Sequence, residues 1–391
     1  MNAIASFVAL LIVALGYGVI VPLGPALVER SMGSITVQEI SFHTGALSAV
    51  YLLAFAALAP LWGRAVDASS RRLIAAGGLT GFAIAFAAIA MDLGMDLMYV
   101  ALAAAGACAA AVVPAIQVQI GRVEGDLAKA RLLSALGAAS FSGWFLGPPL
   151  VSWSLALGKA RGVASTDFPF YVVAILGLAA AVLMLYAIPA DSPVVGSEQV
   201  EGDPTTLRRR AWLFGLLSMA VTFGIGGFEV SLVLWVLQVL RLEAGLVSKI
   251  LVECTVVMMV VQATIFFLPA AQPQWKPIAA GVAFGAMATA VALTPLATGA
   301  WAMFALVAII AAAATLLQAM LSLGTVTSAG NHTGAALGLQ LSLSSVGQGL
   351  GSFSAGALFS PSGGGFFISS ALLAAAGIWA ASTGRSRRGE A

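Results

Sequence analysis

Charge is what this sequence has least of. Asp, Glu, Lys and Arg make up 9% of its 391 residues, where a soluble domain carries about 25%. Hydrophobic residues make up 60%, and the mean hydropathy is +1.01. No aqueous fold of this length hides so much apolar surface, so a water-soluble domain is excluded. A net charge of only +2 gives no electrostatic footprint for nucleic acid. Cysteine is nearly absent: Cys108 and Cys254 both fall in apolar runs and read as small core residues, not a disulfide or a metal site. The two histidines, His43 and His332, stand far apart. No H-E-x-x-H, phosphate-loop or G-x-S-x-G context occurs. Without a nucleophile–base pair or a metal constellation, neither an enzyme nor a cofactor is expected.

What the chain has instead is apolar length. Runs fall at about 5–28, 42–63, 73–91, 96–120, 132–157, 168–189, 211–238, 245–269, 277–297, 299–324, 333–359 and 364–382. These are twelve, each near the ~20 residues a helix needs to cross a bilayer. The first lacks a basic flank and is too long for a signal peptide's apolar region, so it reads as a retained helix. With the N-terminus inside, thirteen of the eighteen Lys and Arg residues fall on the inner side, including Arg64, Arg71, Arg72 and Arg208 to Arg210. The outer side holds Arg30, Lys159, Arg161, Arg241 and Lys249. The positive-inside rule then puts both termini in the cytoplasm.

The longest break in the apolar pattern is Ala190 to Arg210, polar and carrying Pro193 and Pro204. It reads as a flexible linker between two six-helix halves. The halves echo each other weakly. A-L-G opens span five (residues 135–137) and span eleven (residues 336–338), and Gly16/Gly18 sit in span one as Gly224/Gly226 sit in span seven. Ordered matches of this kind are what a duplicated membrane unit leaves behind.

The most informative stretch runs from Ser41 to Arg72. Between Phe42 and Gly63 it carries no Asp, Glu, Lys or Arg; a charged turn with Arg64, Asp67, Arg71 and Arg72 follows. The pattern G-x-x-x-D-x-x-x-R-R (Gly63, Asp67, Arg71, Arg72), placed between spans two and three, resembles the loop signature of the major facilitator superfamily of transporters. Ala68 and Ser70 stand where the usual pattern has Arg and Gly. The resemblance implies a conformational latch that braces the two halves in one state or the other. Gly63 would allow close helix approach. Span five carries G-W-F-L-G-P-P, in which Gly143, Gly147 and Pro148 match the family's antiporter-associated motif; Val151 and Ser152 replace its final glycines. Small residues four apart allow close contact, and prolines bend the helix. Gly16, Gly18, Pro22 and Pro25 resemble the first helix of the drug-efflux branch. One departure matters: Leu102 stands four residues before Gly106, where many proton-coupled members carry Arg, and span one has no mid-membrane acid. Proton antiport therefore does not follow from the resemblance alone.

Ionisable groups inside a membrane are costly and functional by default. Glu229, deep in span seven, is the first candidate for proton coupling, since a desolvated carboxyl can load and release a proton near neutral pH. Glu253 in span eight is the second, and Glu29 with Arg30 reads as an interfacial ion pair at the outer mouth of span one. The resemblance implies that spans one, four, seven and ten line the cavity, where the polar candidates are Tyr17, Gln117, Gln119, Thr222, Thr315 and Gln318. His43, Tyr51, Trp144, Gln262, Gln340 and Gln348 are candidates from neighbouring helices. With no mid-span Lys or Arg, such a cavity suits a neutral or amphipathic cargo.

The expected fold is an all-α membrane protein with twelve transmembrane helices in two pseudo-symmetric six-helix bundles: residues 1–189 and 211–391, joined by a cytoplasmic linker at 190–210 and ending in a short basic tail. The expected function is secondary transport by alternating access, exporting a small apolar or amphipathic compound in exchange for protons. Two alternatives stay open: an importer or facilitator of a neutral metabolite, and a transporter-like sensor or scaffold. The expected partners are a small-molecule substrate, the lipid bilayer of the inner membrane and protons, with the protein a monomer.

Overall fold

In a bilayer every backbone N–H and C=O must be satisfied within the chain, and helices do this locally. The computed structural model describes residues 3–33, 35–68, 70–91, 93–117, 126–161, 166–187, 204–241, 244–267, 275–297, 299–329, 333–360 and 362–383, and among these there is no strand. The helices are α1 (Ala3–Met32), α2 (Val37–Ala68), α3 (Arg71–Ala90), α4 (Met95–Gln117), α5 (Asp126–Arg161), α6 (Phe168–Ala187), α7 (Pro204–Leu234), α8 (Ala244–Phe267), α9 (Pro277–Leu293), α10 (Ala300–Ala329), α11 (Thr333–Ala357) and α12 (Gly364–Ser382). Among the described residues nine are long and apolar enough to cross a membrane: α1 to α4, α6, α7, α9, α10 and α12. α11 is diluted by serine, glycine and glutamine, and these small and polar residues face protein, since α11 packs on both α7 and α2.

Of the linker expected at 190–210, residues 190–203 lie outside the described residues. Residues 204–210 already form the first turns of α7, started by Pro204, whose fixed φ and missing N–H suit the first helical position. α7 closes on one widened turn, where the Leu240 N–H donates to the Trp235 carbonyl at 2.9 Å.

The packing repeats. α1 packs on α5 and α6, α2 on α4, and α3 on α4 and α6. Six helices later, α7 packs on α11 and α12, α8 on α10, and α9 on α10 and α12. Between the two sets α2 meets α11 and α5 meets α8.

Glycine sets the closest of these contacts. A β-carbon on Gly143 would come within 2.1 Å of the Leu11 carbonyl oxygen, and one on Gly147 within 2.5 Å of the Gly18 backbone. On the other side, Gly347 meets the Met219 carbonyl at 2.2 Å and Gly351 the Phe223 carbonyl at 2.1 Å. Met219 stands to Gly226 as Leu11 stands to Gly18, and Gly347 to Gly351 as Gly143 to Gly147. In this register Gly137 corresponds to Leu341, so the A-L-G match at 135–137 and 336–338 is out of step with the packing. Between the sets, Gly45 and Gly356 face each other, each β-carbon position within 2.9 Å of the other's Cα. Gln38 Nε2 donates to the Ala357 carbonyl at 3.1 Å beside them. Arg30, at the end of α1, pairs with Asp167 at the start of α6 and donates to Thr166 Oγ1 at 2.9 Å.

These contacts leave no room for side chains. Gly351→Val is expected to cost about 1–3 kcal/mol through forced backbone separation, read as a lowered midpoint of thermal unfolding in detergent. Gly285, whose β-carbon would meet nothing within 4 Å, serves as the control: Gly285→Ala should stay within about 0.5 kcal/mol of the parent. Equal effects from the two changes would contradict the packing account.

Candidate functional site

A small cavity opens where the two sets of helices meet. Its wall is Tyr17, Gly18, Val21 and Pro22 from α1, Trp144 and Pro148 from α5, Glu229 from α7, and Leu251, Cys254 and Thr255 from α8. The α1 and α5 side is aromatic. The Tyr17 ring lies 5.5 Å from Trp144 and 5.6 Å from Tyr51, centroid to centroid, with tilted planes. The α7 side is acidic. Glu229 is 9% exposed and is the only acid in α7. Gln348 of α11 donates from Nε2 to Glu229 Oε2 at 3.4 Å, and the same nitrogen lies 3.5 Å from the Tyr17 hydroxyl.

Backbone packing explains how Gln348 reaches this place. A β-carbon on Gly226 would come within 2.2 Å of the Gln348 carbonyl. Only a glycine there lets α11 lie so close to α7 that its glutamine stands beside an acid three residues further along. Among the described residues no Lys or Arg lines the cavity. An ionised carboxylate here has no cation to offset its lost hydration, which makes the site costly in a way that structural packing does not require.

The sequence profile of the Major Facilitator Superfamily matches residues 6–352. The chain belongs to this superfamily. It is similar to the class G tetracycline resistance protein of Vibrio anguillarum, 29% identical over 175 residues, which are 44% of this chain and 42% of that one. It is also similar to multidrug resistance protein 1 of Bacillus subtilis (strain 168), 21% identical over 231 residues, 58% of this chain and 56% of that one. The matched part of the chain thus spans about half the length of these curated relatives. Among solved structures, the human organic anion transporter MFSD10 (TETRAN) shares the fold at a TM-score of 0.72 and 18% identity, covering 97% of this chain and 98% of that one.

Within this superfamily member the expected site residues are distributed as follows. Tyr17 and Glu229 lie in the cavity wall, as does Pro148 of the span-five motif, whose Gly143 and Gly147 pack on α1. Glu253 is half-buried on α8 and is not among the lining residues; its Oε2 has no hydrogen-bond partner among the described residues. Thr222 turns its hydroxyl onto the Ser344 carbonyl at 2.6 Å and Thr315 onto the Ala311 carbonyl at 2.9 Å. Thr222 thereby ties α7 to α11, Thr315 bonds back within α10, and neither is among the residues lining the cavity. Gln318 is half-buried away from this wall, and the Gln117 side chain and Gln119 lie outside the described residues. Gln340 bonds Ser218 at 2.8 Å, and His43 Nδ1 is 2.8 Å from the Tyr99 hydroxyl.

At the turn after α2, the Asp67 side chain lies outside the described residues. Among the described residues a β-carbon on Gly63 would meet nothing within 4 Å, so the expected close helix approach is not seen there. Arg71 is buried, and Arg72 Nη1 donates to the Leu185 carbonyl at 3.4 Å, tying the turn to the end of α6. Arg30, expected to form an interfacial ion pair with Glu29, pairs with Asp167.

Cys254 corrects another expectation: it is part of the cavity wall and not simply core. Its signal was its spacing from Leu251 and Thr255, which puts the three on one face of α8. A prediction follows from its sharing the cavity with Glu229. In a Cys108→Ser background, a cationic methanethiosulfonate should modify Cys254 faster than an anionic one of similar size. A carboxylate about 4 Å from the reagent's charge contributes about 1 kcal/mol in water, a factor of about five. The preference should grow as pH is raised and the carboxyl ionises, and Glu229→Gln should erase it. A preference unchanged by Glu229→Gln would mean that Cys254 and Glu229 do not share one space.

Proposed function

We propose that this superfamily transporter exports a small apolar or amphipathic compound and exchanges it for a proton carried by Glu229. The observation that carries the reading is the position of that carboxyl: buried, in the cavity wall, and among the described residues bonded by one long contact to a neutral amide. A group so placed can bind a proton from one side and give it to the other as the cavity changes sides. The partly matching relatives named for tetracycline and multidrug resistance support export. The tyrosine and tryptophan rings suit an apolar or amphipathic cargo.

The mechanism follows from the pairing of α2 with α11 and α5 with α8. We take α1–α6 and α7–α12 as two six-helix bundles joined through the residues between α6 and α7 on the cytoplasmic side of the inner membrane, where both termini also lie. The bundles rock about a monomer's central cavity. Gly63, Asp67, Arg71 and Arg72 form the latch of one state. The separation of Glu229 from Glu253, which is not in the cavity wall, leaves Glu229 as the coupling group.

A second reading has one observation in its favour. Leu102, fully buried on α4, stands where the superfamily resemblance leads one to expect the Arg of many proton-coupled members. A facilitator of a neutral metabolite, or a sensor built on a transporter frame, needs no such charge. The deciding experiment is proton release from the purified protein in weakly buffered detergent as lipophilic cations and neutral compounds are added. The export reading expects release on cargo binding and none in Glu229→Gln. Binding without release in either protein favours the facilitator, and absence of any binding together with a co-purifying partner favours the sensor.

A further inference from the structure

Gln348 sits between two groups that belong to opposite sets of helices. Its Nε2 is 3.4 Å from Glu229 Oε2 on α7 and 3.5 Å from the Tyr17 hydroxyl on α1. Both contacts are at the long end of the hydrogen-bond range. The amide nitrogen is shared between two acceptors and is held tightly by neither. Gln348 is 9% exposed and Tyr17 4% exposed, so water does not freely substitute for either contact.

We propose that Gln348 is a positioning residue that passes the protonation state of Glu229 to Tyr17 by reversing its amide; this rests on the export reading above. The donor and acceptor inventory dictates the reversal. An ionised Glu229 is acceptor-only, so it holds the amide NH2 toward itself. Tyr17 must then present its oxygen as an acceptor to the second N–H of the same nitrogen. Once protonated, Glu229 carries an O–H that needs an acceptor, and the nearest partner able to become one is the Gln348 carbonyl oxygen. Rotation of the amide by half a turn brings Oε1 to the place of Nε2. Tyr17 can now donate its hydroxyl proton to Oε1, a partner it lacks while the amide nitrogen faces it. One proton taken up on α7 thereby changes the direction of a hydrogen bond on α1. No bond other than hydrogen bonds is made or broken, and the proton stays on Glu229.

One competitor stands beside Tyr17: the buried Ser352 hydroxyl of α11, which can also accept from it. Among the described residues the ionisable groups at this cluster are Tyr17 of α1, Tyr51 of α2 and Cys254 of α8, with Glu253 of α8 outside the cavity wall next to Cys254 in sequence. α9, α10, α11 and α12, which share the second set with α7, carry no Asp, Glu, Lys, Arg or His in their described lengths. The Tyr17 ring lies against Trp144, itself in the cavity wall, so a change at the hydroxyl reaches the surface that a cargo would touch.

The test needs no cargo. Infrared difference spectra between acidic and alkaline pH are recorded on the protein in lipid nanodiscs. The account expects a protonated-carboxyl band that Glu229→Gln removes, and with it a tyrosine C–O band that Tyr17→Phe removes. In Gln348→Met, which keeps length and volume but not the amide, the carboxyl band should remain and the tyrosine band should be lost. Gln348→Leu, checked for a monodisperse profile, repeats the test with a second side chain. A tyrosine band that persists in both Gln348 variants would overturn the bridge while leaving the export reading standing. Absence of any band assignable to Glu229 would remove that reading, and the bridge with it.

Discussion

Lipid tails are as apolar as leucine, so no hydrophobic force draws the helices of this protein together. What holds them is close packing, and it depends on glycine. Gly143 and Gly147 press α5 onto the backbone of α1, and Gly347 and Gly351 press α11 onto α7. Gly45 and Gly356 do the same between α2 and α11. Each contact is a place where any side chain would force two backbones apart. Dispersion gained over these surfaces replaces the burial energy that a soluble protein would use.

That packing also makes the site. Gly226 lets the backbone of α11 approach α7 so closely that Gln348 stands beside Glu229. The aromatic wall comes from α1, α2 and α5, and the carboxyl with its amide from α7 and α11. The cavity therefore exists only where both sets meet. A charge change in its wall bears on how the sets sit against each other, which is what a superfamily transporter requires of its coupling group.

Much of the fold was legible because apolar length is a strong signal. The expected spans at 168–189 and 364–382 correspond to α6 (Phe168–Ala187) and α12 (Gly364–Ser382), and those at 277–297 and 299–324 to α9 (Pro277–Leu293) and α10 (Ala300–Ala329). Which way each residue faces was much less legible. A soluble helix marks its buried side by polarity, but here lipid and protein interior are both apolar, so a lone polar residue does not announce its direction. Thr222 and Thr315 looked like cavity residues and instead cap carbonyls of their own or a neighbouring helix. Cys254 looked like core and lines the cavity. Glu229 was legible because an acid among apolar residues is costly wherever it points. The glycine register of α11 was not, because glycine is frequent throughout the chain, with 43 in all, and only the contacts show which ones touch a backbone.

The central claim is that Glu229 couples cargo movement to the proton. Its most direct test is flux in liposomes of one lipid composition, with the cargo chosen by the binding panel. Parent protein should concentrate cargo against its gradient when a pH gradient is imposed, and should also catalyse one-for-one cargo exchange without one. Glu229→Gln should retain the exchange and lose the response to the pH gradient. A Glu229→Gln protein that still concentrates cargo as the parent does would contradict the account.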